Sequence, residues 1–243
     1  MINKSEVSTV VSPTLSPVNI TSMEGYESNA GYLAHASTSL DTAYQSVEAV
    51  ITARQKLSLD ESRTERARML MVAELAEKYS AKVQKQFESS WNKLDAAIRH
   101  TESELTKPVE EFAGIGNVAT EIRAHLKAMT QGERMTFLSE ALERNDSRTL
   151  QSALGAPSYL SGMTATEHAH FTRQYHDKKS PEVTARLAAM RGAIEKLERA
   201  GPIVVMEFAK AVGANQREIE RLRAASNEAE AALVMKDFEP AQD

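Results

Sequence analysis

The sequence predicts an all-α protein: an elongated helical bundle built from long coiled-coil helices, with a central cluster of short helices. Three observations predict it. Residues 32–107 contain neither Gly nor Pro. Within that stretch and again near the C-terminus, apolar residues recur three and four apart, the spacing of one helix face. Where Gly and Pro do cluster, helix-capping signatures stand between them. Composition agrees, with 42% hydrophobic and 26% charged residues but only 5% aromatics. That balance suits helices meeting through small aliphatic contacts.

The first element, residues 1–35, reads as a flexible Ser/Thr-rich arm. Ser5, Ser8, Thr9, Ser12, Thr14, Ser16, Thr21 and Ser22 alternate with Pro13, Pro17, Gly25 and Gly31. Such residues compete for backbone hydrogen bonds or forbid helix, and few large apolar groups anchor them. The expectation is that a chain starting near Ser37 folds unchanged.

Residues 36–107 read as long coiled-coil helices. Leu40, Tyr44, Val47 and Ile51 mark a helix ending near Leu57, and Asp60 with Glu61 reads as the cap of the next. That second helix runs to about Leu105, where Lys107-Pro108 stops it. A helix of about 45 residues measures about 67 Å, longer than the diameter of roughly 45 Å expected of a compact globule of this length. Its second half carries Phe87, Trp91, Leu94 and Ile98 at heptad spacing; Val83 to Phe87 reads as a stutter.

Residues 108–180 read as a module of four or so short helices. Gly and Pro at 108, 114, 116, 132, 155, 157 and 162 divide them. Thr130 with Glu133 and Thr164 with Glu167 match the capping box. Residues 181–243 read as a C-terminal helical hairpin or coiled coil with a short tail. Ser180-Pro181 opens it and Gly201-Pro202 interrupts it, as a turn in preference to a kink. Beyond the interruption Val205, Phe208, Val212, Asn215, Ile219 and Leu222 alternate three and four, with Asn215 as a polar register position.

Several function classes are disfavoured by this inventory. The net charge of −5 argues against a protein that grips phosphate backbones. The absence of Cys excludes disulfides, thiolate catalysis and cysteine-based metal sites. No apolar run approaches the ~18 residues of a membrane span, and Val10-Val11 is followed at once by Ser12-Pro13, so no signal-peptide core is read. Gly114-Ile115-Gly116-Asn117-Val118-Ala119 matches a dinucleotide fingerprint in letters, but no strand precedes it, so it reads as a joint before a helix. His168, His170 and His176 do not share one helix face, and no carboxylate completes a ligand set. The Asn145-Asp146 turn resembles a helix-turn-helix whose second helix offers only Arg148 as a reader. No catalytic, cofactor-binding or metal-ligating residues are therefore assigned. The candidate interaction seam is Phe87, Trp91, Leu94, Ile98, Val205, Phe208, Val212, Asn215, Ile219 and Leu222.

One resemblance adds to this reading. Ile122–Lys127, Phe137-Leu138, Leu154–Pro157 and Tyr159–Met163 resemble a recurring pattern in uncharacterised helical proteins encoded by tailed bacteriophages and prophages. The resemblance implies a phage context and hence an assembly or virion-structural role; the coiled-coil helices add the expectation of self-association, with the short helical modules or the tail docking onto a larger partner of capsid or portal type. It also implies a place in the virion or the host cytoplasm. The alternative is a regulatory or secreted helical effector or adaptor that binds a host protein.

Overall fold

A computed structural model describes residues 7–109 and 117–233. Of these residues 83% are helical, and none lies in a strand. The helices are α1 (Val18–Thr21), α2 (Tyr26–Ser58), α3 (Glu65–Leu105), α4 (Asn117–Ala128), α5 (Gln131–Glu143), α6 (Ser147–Leu154), α7 (Ala165–Lys179), α8 (Pro181–Val212) and α9 (Gln216–Ala232). Single 3-10 turns lie at Pro13–Leu15 and Ser158–Ser161. Two compact units result: Met1–Leu94 with Gly192–Asp243, and Asp95–Arg191. α3 and α8 contribute residues to both.

In the first unit the N-terminal segment is not a free arm. Val11, Leu15 and Ile20 are buried, the last two completely. Ser8 N–H donates to the Lys210 carbonyl at 3.3 Å, and Ser12 N–H donates to Glu207 Oε2 at 3.2 Å. The Ser and Thr residues that suggested disorder form local turns instead, while sparse apolar residues supply the anchorage. Asn19 Nδ2, for instance, bonds the carbonyls of Pro13, Thr14 and Ser16. Gly25, at φ 75°, then turns the chain into α2, which bends at Asn29.

α2 and α3 meet through small residues. Ala36, Ser39, Ala43 and Ser46 of α2 are buried, as are Ala76 and Ser90 of α3. The Ser39 hydroxyl donates to Ser90 Oγ at 2.7 Å, and Ser90 in turn donates to the His35 carbonyl at 3.0 Å. Both buried hydroxyls are thereby satisfied, a net gain of about 1 kcal/mol each. The buried stripe of α3 in this unit is Val72, Ala76, Val83, Ser90 and Leu94. It passes through Ser90, so Phe87 is half-buried and Trp91 sits at the edge, 38% exposed. Asp60 caps no helix; its carboxylate closes a turn on Ser62, and Thr64 Oγ1 receives Ala67 N–H at the start of α3.

The expected interruption at Gly201-Pro202 is absent. α8 runs through Pro202, whose missing N–H and ring would ordinarily cost ~3 kcal/mol. The compensation is a buried stripe continuous across it: Ala193, Leu197, Ala200, Val204, Phe208 and Ala211. The break comes later, at Gly213 with φ 81°. There Asn215 is exposed and caps α9, its Oδ1 accepting Glu218 N–H at 2.9 Å. It is a cap, not a buried register residue.

The second unit surrounds one core, whose fully buried members include Leu126, Leu138, Leu154 and Phe171. Both capping boxes form: Thr130 with Glu133 opens α5, and Thr164 with Glu167 opens α7. Asp146 caps α6, accepting Thr149 N–H at 3.1 Å and its hydroxyl at 2.7 Å. Helix C-termini are closed by side chains from elsewhere. Arg134 Nη1 donates to the Leu126 and Met129 carbonyls, and Lys178 Nζ to those of Leu142 and Glu143. The last carbonyls of α6 receive Arg123, Ser161 and His168. These contacts satisfy orphan acceptors and place positive charge where the helix dipole favours it.

Candidate protein-docking face

Polar side chains that could carry chemistry are engaged in building the fold. His168 Nε2 lies 3.0 Å from the Leu154 carbonyl and His176 Nε2 lies 2.8 Å from that of Lys107. A carbonyl only accepts, so each Nε2 carries the proton. His170 packs its edge on Phe171, ring centroids 5.4 Å apart. No group of three His, Asp or Glu side chains with metal-binding geometry occurs among the described residues. The residues Gly114–Gly116 of the glycine-rich motif lie outside the described residues; Asn117 opens α4.

Of the four carboxylates held below their ordinary range among the described residues, three are helix caps; the fourth, Asp60, is lowered first by its side-chain hydrogen bond with Ser62. Donation from Thr130 N–H holds Glu133 below the usual carboxylate range, and donation from Thr164 N–H does the same for Glu167. The Thr149 hydroxyl lowers Asp146. In each case hydrogen bonds to the charged form stabilise it. Burial pulls Arg54 below its ordinary value; its guanidinium is spent on the carbonyls of Ser8 (2.6 Å), Lys210 (3.1 Å) and Ala211 (2.7 Å).

The ten candidate seam residues divide into three sets. Leu94, Ile98, Phe208, Val212 and Ile219 are buried within the chain. Phe87 and Leu222 are half-buried, and Asn215 is the α9 cap. Trp91 and Val205 are exposed, Val205 at 68%. The helical spacing at 205 therefore reads one residue off: the buried position is Val204.

Val205 lines a groove in the first unit, and Trp91 lies beyond it along the same pair of helices. About 400 Å³ lies between α3, the end of α8 and the start of α9, floored by Ala76, Ser80, Phe208 and Ile219. α9 fills only its base. Ile219 is buried there and Arg223 Nη2 reaches Glu77 Oε1 of α3 at 2.9 Å, but every residue from Asn227 to Leu233 is exposed. Further along the same pair of helices come Gln84 and Val205, then Trp91, whose Nε1–H donates to Glu198 Oε1 at 3.4 Å. Gly201, on this side of α8, has open space where a Cβ would stand. Among the described residues, α2, α3 and α8 thus make three members of a bundle whose fourth position is occupied by α9 at one end. Sequence periodicity placed Val205, Phe208, Val212 and Ile219 on one seam, all of which line this groove; it missed the α3 side, which is Ala73, Ala76, Ser80 and Ala81 rather than large apolar residues.

No described helix is long and apolar enough to cross a membrane. Comparison with family models, curated proteins and solved structures yields no match to this chain.

Proposed function

We propose that the chain is a non-enzymatic structural or assembly protein that works by docking a protein partner on the open face of its first unit. The observation that carries this reading is the groove between α3 and α8, filled among the described residues by α9 at its base alone, with Val205 exposed in its wall and Trp91 exposed further along the same helices. Contiguous exposed apolar surface on a helical protein marks an interaction site. The charged groups nearest to chemistry, by contrast, are occupied as helix caps. A virion or capsid-assembly setting rests on the resemblance carried by residues 122–163.

A photo-crosslinking residue placed at Val205 in the full chain, expressed in its producing cell, tests the reading. One discrete protein adduct is expected from position 205 and none from Gln45, an exposed position on α2. Equal, diffuse labelling from both positions would overturn it.

A further inference from the structure

We infer that the open lane between α3 and α8 takes a basic amphipathic helix from a different protein, with an aliphatic stripe flanked by Arg or Lys. This rests on the docking reading above and names the chemistry of the occupant.

The chain supplies its own template. At the base of the lane, α9 inserts Ile219 and lays Arg223, one turn on, across Glu77. An aliphatic residue with an arginine four positions later is the element this surface already accepts. Higher along the lane the same elements recur with no occupant among the described residues. Val205 and Trp91 supply exposed apolar surface; Glu198 of α8 meets Trp91, and Glu88, four residues on from Gln84 and three before Trp91, falls on the same face of α3 by helical spacing. Glu88 forms no ion pair among the described residues, and Glu198 receives only the long indole hydrogen bond. Lys78 and Lys85 lie further round α3, on the side turned away from α8 by helical rotation. The lane therefore offers small apolar residues between two carboxylates, which a helix with flanking cations satisfies.

Charge also decides against a second copy of this chain. The remaining unpacked part of α9 that a neighbour could offer is residues 227–233, whose charges are Glu228 and Glu230. Those would face Glu88 and Glu198, like against like. The half of α9 that carries Arg217, Arg221 and Arg223 is already seated on its own α3.

Two labelled synthetic helices of 20 residues test the inference on the full-length protein. They share a Leu stripe and differ only in flanking residues, Arg in one and Glu in the other. The Arg helix should bind saturably and about tenfold or more tighter than its Glu twin, a difference fluorescence anisotropy resolves. Val205→Glu should abolish that binding while circular dichroism stays unchanged, since Val205 is exposed. The double variant Glu88→Lys, Glu198→Lys should invert the preference between the twins. Equal affinity of both peptides, or indifference to Val205→Glu, overturns the basic-helix inference. If the crosslinked adduct from position 205 has twice the mass of this chain, the occupant is a second copy: the docking reading then stands and this inference falls.

Discussion

Substituting Leu15 or Ile20 by Ala should destabilise the first unit by several kcal/mol, although both lie in a segment whose composition suggests disorder. Neither side chain retains any exposed surface. Removing three methyl or methylene groups from a fully enclosed site costs the lost transfer energy plus that of the cavity, about 2–5 kcal/mol for Leu or Ile to Ala. Val10, in the same segment, is 72% exposed, and its replacement by Ala should stay within about 0.5 kcal/mol. Trp91 is the only tryptophan and lies in this unit, so its fluorescence during urea unfolding reports on the packing at issue. With an m-value of about 1–3 kcal/mol per molar, a loss of 3 kcal/mol moves the midpoint down by about 1 M or more. By the same reasoning, a chain starting near Ser37 loses Leu15, Ile20 and Leu33 and should no longer give a cooperative Trp91 transition. If Leu15→Ala and Ile20→Ala melt like Val10→Ala, the segment is not packed and composition was the better guide.

Three further outcomes follow from named contacts. Thr130→Ala and Thr164→Ala should each cost about 1 kcal/mol in thermal or urea unfolding of the second unit, because each removes an acceptor from a helix N-terminus. Asp146, Glu133 and Glu167 all have depressed pKa values when folded; their stabilisation is therefore complete above the unfolded carboxylate range and lost as pH falls through the lower folded values. Acid titration should show stability declining below about pH 4, and Asp146→Asn, which retains capping ability without the titrating group, should flatten part of that decline. Two glycines should respond with opposite sign in the same melts: Gly162→Ala destabilises, since φ is 70° and a Cβ would stand 3.1 Å from Lys127 Cα, while Gly201→Ala, inside α8 with open space around it, stabilises by about 0.5–1 kcal/mol.

Periodicity and local chemistry made much of this molecule legible. The helical class, the ends of α2 and α3 near Ser58 and Leu105, and both capping boxes follow from interactions spanning four residues or fewer. What periodicity missed depends on partners distant in sequence. Gly201-Pro202 is a strong local stop, yet tertiary burial on both sides carries α8 through it. Asn215 fits a heptad by count, but the real break at Gly213 resets the phase and makes it a cap. Trp91, the largest side chain on its helix, attracted the seam to itself. Ser90 takes the buried place because two backbones approach closely there and only a small residue fits, its hydroxyl satisfied by His35 and Ser39.

The same distance effect acts on charge. Nothing local in the sequence sets Arg54, Arg68, Arg134 and Lys178 apart from other helix cations. In the structure each closes a helix C-terminus: Arg54 that of α8, Arg68 that of α2, Arg134 that of α4 and Lys178 that of α5. Bonds to backbone carbonyls hold these cations at the helix ends, where a positive charge also gains from the helix dipole. A count of surface charge therefore overstates what is available to a ligand. Once these caps are subtracted, a feature of the first unit left unsatisfied is the lane where Glu88 and Glu198 flank exposed Val205 and Trp91.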